Sequence, residues 1–143
     1  MSLDEKYKEY EDNRKIVIAR DKGEKSKYIG NNDSEKLVAK YKVDGGLINN
    51  GEKCDYLVLD KNERIAYFIE LKGSDLIKAI KQIESTLPKI KGDIPEYKIN
   101  ARIVLTKQRT PDLIDSKMRN FDGKIKKMGG TFKKANIKME EKI

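Results

Sequence analysis

Two periods run through the apolar and polar positions of this chain, and the period assigns each segment. Tyr56-Leu57-Val58-Leu59 and Ile65-Ala66-Tyr67-Phe68-Ile69 are apolar runs joined by polar Asp60-Lys61-Asn62-Glu63. That pattern predicts a hairpin, and its near-continuous apolarity predicts cover on both faces. Gly73-Ser74 breaks the second run and offers a helix cap. Leu76, Ile77, Ile80, Ile83 and Leu87 then mark one face of an amphipathic helix that stops near Pro88. Ile99 to Leu105 reads as a third core strand. A second long helix follows Pro111, from Asp112 to about Met128, and Gly129-Gly130 ends it. Thr131 to Met139 closes the pattern as an edge strand. Nearer the start, residues 1–13 read as a short helix or frayed arm, Ile16 to Ala19 as a strand, and 21–32 as a polar loop. Asp33 or Ser34 caps a predicted helix carrying Leu37, Val38 and Tyr41, which Asp44-Gly45-Gly46 ends.

Strands interleaved with helices, plus one hairpin, predict an α/β fold. The expected architecture is a three-layer α/β/α sandwich whose mixed central sheet contains the hairpin. No repeat or linker divides the pattern, so residues 1–143 are expected to form a single domain. The chain of 143 residues is 39% charged and 37% hydrophobic. No apolar run approaches the length of a membrane span, and Met-Ser-Leu-Asp-Glu-Lys lacks a signal-peptide core, so a cytoplasmic location is expected. A single cysteine excludes an internal disulfide framework. The absence of histidine excludes most zinc sites and every Ser-His or Cys-His catalytic pair. Acid–base chemistry then falls to carboxylates, lysines or tyrosines.

The charge is unevenly placed. Residues 1–72 carry 15 basic and 15 acidic side chains, whereas residues 73–143 carry 17 basic and 9 acidic, which accounts for the whole net charge of +8. Within 117–138, Lys117, Arg119, Lys124, Lys126, Lys127, Lys133, Lys134 and Lys138 face one acid, Asp122. Such a concentration suits a polyanion, and solvated surface accounts for it equally well. Arg109, in the turn before the second helix, reads either as a phosphate contact or as part of a capped helix start.

One charged cluster sits where charge is costly. Glu70 and Lys72 end a strand that otherwise reads as buried, and Asp55 begins its partner. Strand alternation puts Glu70 and Lys72 on one face. A two-residue turn sets Asp55 diagonal to Glu70, and a four-residue turn sets it directly opposite. A three-residue turn would flip one strand and separate them. Two carboxylates so close repel unless a proton or cation intervenes. Hard oxygen donors favour magnesium, with manganese as a substitute. Lys72 beside them suits activation of a water or neutralisation of phosphoryl charge. A structural Glu–Lys pair with Asp55 as a turn cap is the simpler account of the same residues.

Asp55 followed after a hairpin turn by Glu70-Leu71-Lys72, and then by a helix, resembles the PD-(D/E)xK nuclease superfamily over roughly residues 33–106. Cys54 stands where the family name has proline. The resemblance implies a magnesium-dependent endonuclease acting on DNA, with metal held by Asp55, Glu70 and the Leu71 carbonyl, and Lys72 on the attacking water. It implies Glu35 as a further acidic metal ligand and Gln82 as a polar residue at the site. The helix dipole accounts for a first-turn Glu35 equally, and Gln82, between Ile80 and Ile83, also fits a solvent-facing position. Lys124, Lys126, Lys127, Lys133, Lys134 and Arg109 would hold the DNA backbone. Many members dimerise to cut both strands, so a homodimer is in view. A nucleic-acid-binding module that keeps the fold without cleaving is the alternative.

Overall fold

The computed structural model describes residues 3–21, 23–51, 53–71, 75–106 and 114–143. A 3-10 turn (Glu5–Tyr7) leads into β1 (Lys8–Asp12), followed by β2 (Ile16–Arg20), β3 (Lys27–Asn31), β4 (Val38–Lys42), β5 (Tyr56–Asp60) and β6 (Ile65–Leu71). Then come α1 (Leu76–Ile90), β7 (Lys98–Leu105), α2 (Ile114–Lys127), β8 (Phe132–Asn136) and β9 (Lys138–Lys142). Six strands make one mixed sheet in the order β1-β4-β5-β6-β7-β8, and a three-stranded sheet has the order β2-β3-β9. β4, β5 and β6 form an antiparallel meander, while β6, β7 and β8 run parallel. Parallel neighbours need crossovers, which α1 and α2 supply.

The fold is α/β with a mixed sheet built around the predicted hairpin. Its layers differ from the α/β/α expectation. On one face Leu57, Leu59, Phe68, Ala101 and Ile103 pack against Leu76, Ile80 and Ile83 of α1 and against Phe121 and Ile125 of α2. On the other face Tyr56, Val58, Tyr67, Ile69 and Val104 meet Val17, Ala19, Tyr28 and Met139 of the small sheet. Among the described residues, helices therefore cover one face and a second sheet covers the other.

Local propensity yields to tertiary pairing at several points. The predicted helix after Asp33 is β4: Ala39 and Tyr41 join the helix-side core, Val38 the small-sheet side, and the strand lies between β1 and β5. Helical spacing at Leu37, Val38 and Tyr41 was compatible with a strand buried on both faces, which has no clean period of two. The predicted N-terminal helix or frayed arm is mainly β1, an edge strand antiparallel to β4. The predicted 21–32 loop contains β3, which alternates Tyr28 and Gly30 inward with Lys27, Ile29 and Asn31 outward. The predicted closing strand is two strands in different sheets, divided at Ile137, whose φ is 67°. α1 continues through Pro88 to Ile90, and the start predicted for α2 at Asp112 lies outside the described residues.

Candidate active site

The hairpin register decides whether the acidic pair meets. Tyr56 pairs with Ile69 and Asp60 with Ile65, leaving a turn of four residues, 61–64. Buried Asp60 fixes that turn by accepting hydrogen bonds from the Asn62 and Glu63 amides at 3.1 and 3.0 Å. The next pair in this register is Asp55 with Glu70. At that point the Asp55 amide donates to the Ile69 carbonyl at 3.0 Å, and the Asp55 carboxylate accepts the Leu71 amide at 2.8 Å. Both acids are nearly sealed from solvent, at 4% exposure for Asp55 and 2% for Glu70.

Two adjoining cavities open at this end of the sheet. One, of about 470 Å³, is lined by Asp21, Glu24, Lys42, Asp44, Gly45, Asp55 and Tyr56. The other, of about 410 Å³, is lined by Glu24, Glu70, Asp75, Lys78, Ala79, Gln82 and Thr106. Glu24 borders both. The loop carrying it is anchored where the Tyr56 hydroxyl donates to Asp21 at 3.0 Å. Burial, with the neighbouring Asp21 charge, pushes that hydroxyl's pKa up and keeps it a donor. Cys54 lies beneath the pair. Burial first, then the charge of Glu70, raises its thiol well above the ordinary range, so it is a packed strand residue and no nucleophile. Its amide donates to the Thr86 hydroxyl of α1 at 2.8 Å, tying the start of β5 to the helix.

The structure brings Asp55, Glu70, Leu71 and Gln82 to this end of the sheet, and Gln82 lines the Glu70 cavity while half-exposed. Lys72 and Arg109 lie outside the described residues. Glu35 is not brought here. It is exposed at φ 51°, in the turn before β4, and its carbonyl accepts from Asn13. The neighbouring Leu37 amide bonds to Asn62 of the hairpin turn, so Glu35 sits at the far end of β4 and β5. Sequence reasoning passed over Asp21 and Glu24 because they lay in a segment read as plain loop. No spacing in the sequence links that segment to β5.

The basic region is also differently placed. α2 ends where β7 begins, with the Met128 carbonyl accepting from Ile99 at 3.2 Å. Lys124, Lys126 and Lys127 thus lie in the last turn of α2, toward the end of the sheet where β7 begins. Acids neutralise several of these cations. Lys124 pairs with Glu84 at 2.6 Å, Lys126 with Asp122 at 3.0 Å and Lys133 with Glu141 at 3.3 Å. Lys127 and Lys134 are exposed and form no ion pair among the described residues.

The donor chemistry at the hairpin end fits a hard divalent cation. Two buried carboxylates, Asp55 and Glu70, come from adjacent strand ends, and β6 ends at Leu71 with its backbone carbonyl. Among the described residues, no three Asp, Glu or Cys side chains converge as a ligand set, so such an ion would rest on the pair and the backbone. No helix among those residues is long and apolar enough to cross a membrane. Comparison with protein-family models, curated proteins and solved structures gave no match, leaving this geometry to carry the functional reading.

Proposed function

We propose that the chain is a magnesium-dependent nuclease that hydrolyses phosphodiester bonds, with DNA as substrate. The observation that carries the reading is that Asp55 and Glu70, both buried, each line one of two cavities that share Glu24 at the same end of the sheet. Carboxylates this dry are costly unless cations or hydrogen bonds compensate them, and a divalent cation suits that role. Asp55, Glu70 and the Leu71 carbonyl would hold the metal. When bound, it supplies Lewis acidity toward a phosphoryl oxygen and lowers the pKa of an attacking water.

The chain's own residues do the rest. The Leu71 amide fixes the Asp55 carboxylate, so that group needs no reorganisation on binding. Lys72, following Leu71, orients the water or takes its proton. Gln82, on the helix facing Glu70, offers an amide to a phosphate oxygen. Lys42 and Lys78 supply positive charge at the rims of the cavities.

The test is a cleavage assay on linear, nicked, branched and single-stranded DNA, with and without magnesium. Magnesium-dependent cleavage that disappears in Asp55→Asn and Glu70→Gln is the expected result. DNA binding without cleavage under every condition would assign the chain to the non-cleaving alternative.

A further inference from the structure

The outer face of the three-stranded sheet carries a cross-strand row of cations. In the register of that sheet Arg20 lies opposite Lys27, and Lys27 opposite Lys138. All three point away from the core by strand alternation. Strands lie about 4.8 Å apart, so the row spans roughly 10 Å. Like charges directly opposite one another destabilise a sheet. Only Lys138 of the three has an ion-pair partner among the described residues, Glu140 at 3.5 Å. Glu140, on the same face, offsets part of that repulsion: hydrogen bonds from Asn31 and Lys138 and the charges of Lys138 and Lys27 hold its carboxyl below its ordinary range.

The row borders the candidate site. The Arg20 carbonyl lies 3.5 Å from the Tyr56 hydroxyl, next to Asp55 in sequence, and the Arg20 guanidinium holds the Glu24 carbonyl at 3.3 Å. The most exposed large apolar side chains among the described residues adjoin the same face: Ile16 at 54%, Ile18 at 45% and Ile137 at 43%. An apolar strip behind a cationic row calls for a partner that is anionic at its edge and apolar between its charges. A second copy of the chain does not fit, because face-to-face contact would bring the two rows together.

We infer that this face is the DNA track: the phosphate backbone of duplex DNA crosses Arg20, Lys27 and Lys138 to reach the Asp55–Glu70 end. The lysines at the end of α2 are not its path. The inference rests on the nuclease reading for the choice of DNA, but its test is independent of cleavage.

Binding of a 20-base-pair duplex is measured in EDTA from 50 to 200 mM salt, for wild type, for Arg20→Gln/Lys27→Gln/Lys138→Gln and for Lys124→Gln/Lys126→Gln/Lys127→Gln. Each lost phosphate contact flattens the slope of log affinity against log salt by about 0.9, so the first variant should lose roughly 2.7. Over that salt range the wild type should then lose about 40-fold more affinity than the variant. The α2 variant should track the wild type. A melting temperature of the first variant close to that of wild type excludes misfolding as the cause. An unchanged slope in the first variant, or a wild type that does not bind, overturns the inference. Cleavage by wild type with an unchanged slope in the variant sinks the track and leaves the nuclease reading standing. Row-dependent binding without any cleavage does the reverse.

Discussion

Asp55 has two tasks at the level of the single residue, and substitutions separate them. Its carboxylate accepts the Leu71 amide, and in the proposed function it also holds metal. Asp55→Asn keeps an oxygen acceptor for that amide while removing the charge beside Glu70. In the absence of metal this variant should remain folded, because the acceptor for the Leu71 amide is kept. Asp55→Ala instead strands a buried amide, at a cost of about 1–3 kcal/mol. Magnesium at 100 times its dissociation constant should stabilise the wild type by about 2.7 kcal/mol and leave Asp55→Asn unmoved. Thermal melts with and without magnesium check this, and an equal shift in both proteins would remove Asp55 from the metal site. Lys72→Ala should abolish cleavage with little change in DNA affinity, since one lysine adds one phosphate contact at most. Turnover equal to wild type would take Lys72 out of the chemistry.

Between elements, the contact that matters most to the site is the bond from α1 to the start of β5. The Thr86 hydroxyl is fully buried, accepts the Cys54 amide and donates to the Gln82 carbonyl at 2.7 Å. Thr86→Val matches it in shape but leaves the Cys54 amide orphaned beside Asp55. A loss of about 1–3 kcal/mol is expected, with faster hydrogen exchange at Cys54, and Thr86→Ser should restore both. Unaltered exchange in the valine variant would mean that the helix does not position the strand. Elements that bury one continuous apolar stripe could be read directly from the sequence, as with β5, β6, α1 and β7. β4 was misread because Lys40 and Lys42 interrupt its apolar run, which leaves Leu37, Val38 and Tyr41 at helical spacing. β3 was missed because Lys27, Ile29 and Asn31 point outward and its partners, β2 and β9, come from opposite ends of the chain. The acid pair was legible because a hairpin is local. Glu24 is brought to the site by the Asp21–Tyr56 contact across 35 residues, and the cationic row is completed by the β3–β9 pairing across more than a hundred, which no short window along the chain contains.

Across the whole molecule, the small sheet is closed by one buried ionic network. Arg102 is 2% exposed on β7; its Nε donates to Glu141 of β9 at 2.6 Å, and its other nitrogens bond to the Ala101 and Thr131 carbonyls and the Thr131 hydroxyl. Tyr28 of β3 donates to the same Glu141 carboxylate at 2.6 Å. Burial alone would raise the Glu141 carboxyl, but the hydrogen bonds from Arg102 and Tyr28 outweigh it and hold that group below its ordinary range. A carboxyl depressed in the folded state contributes stability that is present above its unfolded pKa, about 4.3, and is lost as pH falls through the lower folded value. Removing one charge of a buried pair leaves the other uncompensated, at a cost of about 3 kcal/mol even when an amide keeps part of the hydrogen bonding. Glu141→Gln should therefore melt roughly 10 °C below wild type at pH 7. The gap should stay constant down to about pH 5 and close progressively below about pH 4.3, as wild type protonates Glu141 and forfeits the same interaction. The variant should also loosen the loop holding Asp21 and Glu24, since β2 and β3 lose their tie to β9 and β7. A gap that persists unchanged at pH 3 would show that the destabilisation comes from packing, and that the Arg102–Glu141 charge pair does not hold the small sheet over the site.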